Sequence, residues 1–391
     1  MVEMQGNGIK INPHIFEWAL RNSGVDYDFI ISKFPHFAKW MAGELFPTFT
    51  QLTALSKSLH FPLGYFFLLN PMETESTADF RTIQNKLVSD PSPNLKITIH
   101  DMKEIQEWQR DYCIKYQLEK IPFILPDKKK NKFTSNLKKE TTILSLILTV
   151  HKILDIPQKW FLSFKSTRDA FKYLRKKIEG KRIIVVLNGK VGNNTHRVLD
   201  VNEFRAFTIY DDYAPLIFLN NSDSETGLIF SLLHEFFHIL FSETDIIKNH
   251  NYTGTETLCN RAAIEFLAPK RYIKEEWAAF SNITNIEKIY RLASKLKISE
   301  IALAYRVKNL KLISSEELVK IERYQEEKSK SKITSGGNYW NTKFNVLSKH
   351  LVQSIIADIY AGNTSYTEGF SLLGIKNGKQ LRILERGINN E

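Results

Sequence analysis

The run Leu228-Ile229-Phe230-Ser231-Leu232-Leu233-His234-Glu235-Phe236-Phe237-His238-Ile239-Leu240 is apolar almost throughout, yet it carries two histidines and a glutamate in HExxH spacing. On a helix, residues i and i+4 stand one above the other, so the imidazoles of His234 and His238 can reach one cation. Glu235 between them reaches the same cavity, where it can take a proton from a metal-activated water. The plainer alternative is a buried amphipathic helix that happens to hold two histidines. Burying two imidazoles and a carboxylate without partners is costly, however, and a metal removes that cost.

A catalytic zinc site uses three protein ligands and one open position, whereas structural sites are closed by four. Downstream, the segment from Glu256 to Leu267 (ETLCNRAAIEFL) reads as a second helix with an Ala/Leu/Phe face. Glu256 opens its first turn, with Thr255 or Gly254 as the expected cap. The helix dipole alone favours a carboxylate there; its place at the start of the helix that follows His238 makes it the favoured third ligand. Cys259 is the rival, since thiolate binds zinc well, although a small core residue facing the first helix is the simpler reading. Asn260, at i+4 from Glu256, is placed to orient that carboxylate. His196, Tyr210 and Tyr213 are nearby candidates for an oxyanion donor.

The segment from Leu199 to Pro269 resembles the ImmA/IrrE metallo-endopeptidases, a zincin group. The matching pieces are Asp200–Phe207 (DVNEFRAF), Ala214–Asn220 (APLIFLN), the HEFFH run and ExxCNRAAIEFLAP ending at Pro269. Pro47-Thr48 through Phe67-Leu68, Asp79-Phe80-Arg81-Thr82, Gly336-Gly337 and the helical tail resemble the long members that carry an N-terminal Xre-type helix-turn-helix. Coverage is nearly the whole chain, weakest between Lys103 and Lys181. The resemblance implies one Zn2+ per chain held by His234, His238 and Glu256, with Glu235 as general base. It also implies a regulatory protease that cleaves a repressor or antitoxin-like DNA-binding protein. In zincin-like folds the strand before the active helix, here Leu216–Leu219, is a sheet edge that could hold an extended peptide. An ordinary buried strand beside Ile183–Leu187 and Phe204–Tyr210 is the alternative.

At 391 residues the chain has room for two or three domains, with 43% hydrophobic and 25% charged residues. Two cysteines, Cys113 and Cys259, imply no disulfide framework. With no membrane-length apolar run and no signal-peptide pattern, a cytoplasmic protein is expected. The net charge of +11 is lysine-dominated and clusters at Lys128–Lys139 and between Lys165 and Arg182. Such runs are more often solvated faces than nucleic-acid contacts.

The expected fold is α+β and mostly helical. It comprises an Xre-like five-helix module (1–70), a linker and helical region (71–182), a zincin-like core with a small mixed sheet (183–325) and a helical C-terminal tail (326–391). Any DNA contact would come through residues 11–69, with His36 and Lys39 as the best candidates. Two features argue against it. Lys10, Arg21, Lys33, Lys39 and Lys57 are balanced by Glu3, Glu17, Asp26, Asp28 and Glu44, and phosphate binding needs a local positive excess. From Ile30-Ile31 to Trp40 the module is also about one helical turn shorter than the usual Xre spacing, with Pro35 opening the shortened element. The leading expectation is a zinc endopeptidase. The rivals are a DNA-binding antitoxin-type regulator with a structural or sensory metal, and a scaffold that binds zinc without cleaving.

Overall fold

The computed structural model describes residues 4–5, 8–23, 25–59, 63–68, 91–123, 140–192, 194–242, 253–329 and 346–389. The polar linker 71–82, the lysine patch 128–139, the Gly336-Gly337 pair and tail residues 343–345 lie outside the described residues. The chain divides into two units, Met1–Ala78 with Ser89–His100, and Asp79–Val88 with Asp101–Glu391.

In the first unit a short antiparallel ladder, β1 (Met4–Gln5) with β2 (Gly8–Ile9), precedes four helices. These are α1 (Pro13–Ser23), α2 (Tyr27–Lys33), α3 (Phe37–Met41) and α4 (Phe49–Leu59), followed by a 3-10 turn at Leu63–Phe67. The expected bundle of short helices is present. Helices this short are marginal alone, and a shared aromatic core holds them. The Phe16 ring lies 5.9 Å from both Phe37 and Phe66, and Ile30, Trp40, Leu52 and Leu55 close around it. Asp26 caps α2 by accepting from the Asp28 amide at 3.0 Å.

The second unit runs from α5 (Pro93–Lys115, shared with the first unit) through α6 (Glu140–Leu154) and α7 (Thr167–Glu179) to strands β3 (Ile184–Asn188), β4 (Ala206–Ile209) and β5 (Leu216–Asn220). Then come α8 (Glu225–Leu240), α9 (Thr253–Leu267), α10 (Lys270–Ala279), α11 (Asn285–Leu296), α12 (Glu300–Asn309) and α13 (Ser315–Ser329). The tail forms α14 (Lys349–Tyr360), α15 (Tyr366–Leu372) and α16 (Gly378–Asn389). The protein is thus mostly helical with one small mixed sheet, an α+β fold. Among the described residues no helix is long and apolar enough to cross a membrane.

The sheet corrects one expectation. Its order is β3-β5-β4, with β5 parallel to β3 and antiparallel to β4. Leu216–Leu219 is therefore the central strand, hydrogen-bonded on both sides, and cannot accept a peptide. Every residue of β5 is buried, the pattern of a strand covered on both faces. The end strand β4 is buried along its length as well. The other outer strand, β3, is covered by the tail: the Leu187 amide donates to the Val346 carbonyl at 2.8 Å, and the Val185 amide donates to Ser348 Oγ at 2.5 Å. The tail is also tied to the end of α5, where Lys115 and Tyr116 join the tail's own Thr364 on the buried Asp358 carboxylate.

Two local expectations shift, and two helices take their extent from local geometry. Helix α5 stops at Lys115 because Gln117 takes a left-handed φ of 53°, and the Leu118 amide closes back on the Cys113 carbonyl. Thr255 and Gly254 lie inside the first turn of α9 rather than capping it, since that helix begins at Thr253. The charged stretch from Lys320 to Ser329 lies within helix α13. Of the basic run 165–182, Arg175 is internal: it pairs with Glu179 at 2.8 Å and donates to the Val185 carbonyl.

Candidate metal centre

Helix α8 is apolar on every side because it runs through the middle of the second unit. From Leu228 to Leu240 all its residues but Phe230 are buried. The sheet presents Val185, Ala206, Ile217 and Leu219 to the same core, and α9 adds Leu258, Cys259, Ala262 and Ala263. Ser224 caps the helix by accepting from the Gly227 amide at 3.1 Å. A Cβ at Gly227 would stand 2.4 Å from the Asp223 carboxylate, so any larger residue there must push that side chain aside. Asp223 in turn lies 3.5 Å from Arg205, just ahead of β4. The start of α8 is thereby fixed against the end strand.

His234 and His238 stand one turn apart, 2% and 0% exposed, with ring centroids 4.7 Å apart. The small residues Ala262 and Ala263, both fully buried, let α9 approach α8 closely. Its first turn thereby brings Glu256 to the histidines. The separations are 2.9 Å between the two Nε2 atoms, 3.4 Å from His234 Nε2 to Glu256 Oε1, and 3.5 Å from His238 Nε2 to Glu256 Oε2. One donor atom from each of the three residues falls within 4.8 Å of the others. Metal–nitrogen and metal–oxygen bonds of about 2.0–2.1 Å at tetrahedral angles give donor separations of about 3.3 Å. The donor set therefore fits a zinc-sized ion with one position left over. Two imidazoles and a carboxylate are also the ligand chemistry of a catalytic rather than a structural zinc.

The other residues singled out in the sequence separate. Cys259 is wholly buried in the α8–α9 core and outside the donor cluster, as its small-residue reading requires. Asn260 is half-buried, one turn beyond Glu256. His196 is exposed. The Tyr213 ring lies under the Lys120 ammonium at 5.7 Å. The Tyr210 hydroxyl donates to Asp212, and burial with that bond pushes it up to about 12, so it stays neutral. In the first unit, Phe37 and Trp40 turn α3 into the core, which leaves His36 and Lys39 on its exposed side.

One residue at the site was not anticipated. Thr208 of β4, fully buried, donates from Oγ1 to Glu235 Oε2 at 2.7 Å. The signal was a lone hydroxyl within the apolar stretch Ala206-Phe207-Thr208-Ile209.

Comparison with known proteins places a boundary around this arrangement. Residues 192–308, which contain β4, β5 and helices α8 to α11 with most of α12, match Peptidase_M78, the IrrE N-terminal-like domain. No curated protein and no solved structure matches the chain. The matched span contains both histidines, Glu235 and Glu256. Residues 192–308 are thus similar to the IrrE N-terminal-like domain, a domain of metallopeptidase type.

Proposed function

We propose that this protein is a zinc-dependent endopeptidase in which His234, His238 and Glu256 hold one zinc ion and Glu235 is the general base. The observation that carries the reading is the convergence of three donors from α8 and α9 within 4.8 Å, beside a buried glutamate that is not one of them. Zinc bound there supplies a Lewis acid that lowers the pKa of a water toward about 7 and polarises a peptide carbonyl. Glu235 takes the proton of the attacking water and passes it to the leaving amine. Its burial, at 3% exposure, keeps bulk water away from that transfer. Two buried cysteines outside any disulfide, Cys113 and Cys259, fit a reducing cytoplasm.

The substrate we propose is a specific repressor-like or antitoxin-like DNA-binding protein, as the family resemblance implies. Incubating the zinc-loaded chain with such a protein encoded beside it should give cleavage that a chelator stops. Loss of zinc binding without loss of cleavage would refute the mechanism.

A further inference from the structure

We propose that Thr208 is the positioning residue for Glu235, fixing the carboxylate of the base and tying it to strand β4. The catalytic meaning of this inference rests on the endopeptidase reading; the bond itself does not. A glutamate has three rotatable side-chain bonds, and a general base must be held within a fraction of an ångström of its proton. Threonine in a strand is stiff at χ1, and β4 is itself anchored along β5 from Ala206 to Ile209. Its hydroxyl is therefore a fixed point.

Packing alone does not explain a hydroxyl at this position. Side chains alternate along β4: Ala206 belongs to the core shared with α8, and Thr208 reaches Glu235 on that helix. Phe207 lies on the opposite face, stacked on Phe218 at 5.0 Å. Valine would fill the same space as threonine. A wholly buried hydroxyl is unfavourable unless it is bonded, and here the Glu235 carboxylate accepts it at 2.7 Å, a full-strength O–H···O length. The Glu235 carbonyl lies farther off, at 3.3 Å, so the single hydroxyl proton goes to the carboxylate. Thr208 is wholly buried and a valine methyl takes the place of its hydroxyl, so Thr208→Val leaves no room for a water to restore the bond.

The test is a double-mutant cycle on the full, metal-free chain: Thr208→Val, Glu235→Leu and the pair, each unfolded with urea. Thr208→Val should raise the unfolding constant about tenfold or more beside Glu235, and less than about threefold beside Glu235→Leu. Thr208→Ser keeps the donor and should recover most of the loss. Zinc affinity, measured by competition with a chromophoric chelator, should stay within about threefold in Thr208→Val, because no ligand is touched. On a protein substrate that Glu235→Gln fails to cleave, Thr208→Val should lower kcat about 10–100-fold with KM within about twofold. Should Thr208→Val not fold, Thr208→Ala serves in the same cycle. Additive effects in the cycle, or unchanged kcat in Thr208→Val, overturn the inference. Cleavage by Glu235→Gln at the wild-type rate would instead overturn the endopeptidase reading and leave the measured coupling standing.

Discussion

Stripping zinc from the chain and returning it should move the unfolding temperature by an amount that the site's geometry sets. The three donors already lie within 4.8 Å of one another, and the two histidines are 2% and 0% exposed. Binding therefore spends little energy on ordering side chains, and the ion stabilises the folded state through its affinity alone. At free zinc about 100-fold above Kd this amounts to about 2.7 kcal/mol, and at 1,000-fold to about 4.1 kcal/mol. For a folded unit this large each kcal/mol is worth about 2 °C, so shifts of about 5 °C and about 8 °C follow. The assay is thermal unfolding of chelator-treated protein across a zinc titration, with Glu256→Gln alongside. That substitution keeps the shape of a half-exposed side chain, so the metal-free midpoint should barely change. The zinc-dependent shift should collapse, because a ligand charge is gone. A wild-type shift below about 1 °C at saturating zinc, or an equal shift in Glu256→Gln, would refute the three-ligand site.

Further outcomes follow from the same structure. Ser348→Ala removes the tail's bond to β3 and leaves the buried Val185 amide without its 2.5 Å partner, which should cost about 1–3 kcal/mol in urea unfolding. A cost below about 0.5 kcal/mol would mean that the tail does not complete the sheet. His350 is held down to about 4 by burial, with Arg182 and Arg175 adding repulsion. The unfolded chain then binds this proton near pH 6.5 and the folded chain only near 4, so stability falls as pH drops through that window. His350→Leu should flatten the stability–pH slope between about 6.5 and 4 relative to wild type; an unchanged slope would remove His350 as its source. Gly227→Ala places a Cβ against the Asp223 carboxylate and should destabilise the start of α8 by about 1–3 kcal/mol, seen as a lower urea midpoint. An unchanged midpoint would show that Asp223 moves aside freely.

The site was more legible in the sequence than the sheet was. The i, i+4 spacing of His234 and His238 is a one-dimensional pattern that a helix converts directly into a shared face. Glu256 could be chosen because it opens the next helix. Strand order is different, since it depends on which strand inserts between two others. Leu216–Leu219 reads equally well at an edge or in the middle until β3 and β4 are seen on either side of it. The unbroken apolar run in β5 reports that both of its faces are covered, but the outer strand β3 carries the same run, so it does not mark the centre. Helix α13 was hidden by its charges, which mask a thin apolar stripe through Leu318 and Ile321. Helix α10 begins directly after Pro269, where proline reads as an end although it also caps a start. Thr208 showed only as a lone hydroxyl in an apolar strand, and its partner, Glu235, lies 27 positions away in the chain.

The most direct measurement compares zinc-loaded wild type with Glu235→Gln on a repressor-like DNA-binding protein encoded beside this chain. Elemental analysis reads the zinc and mass spectrometry reads the products. Both proteins should hold one zinc per chain, and the variant should cleave about 10²–10⁴-fold more slowly. Equal cleavage by the two proteins, or an active wild type that carries no metal, would contradict a zinc peptidase with Glu235 as its base.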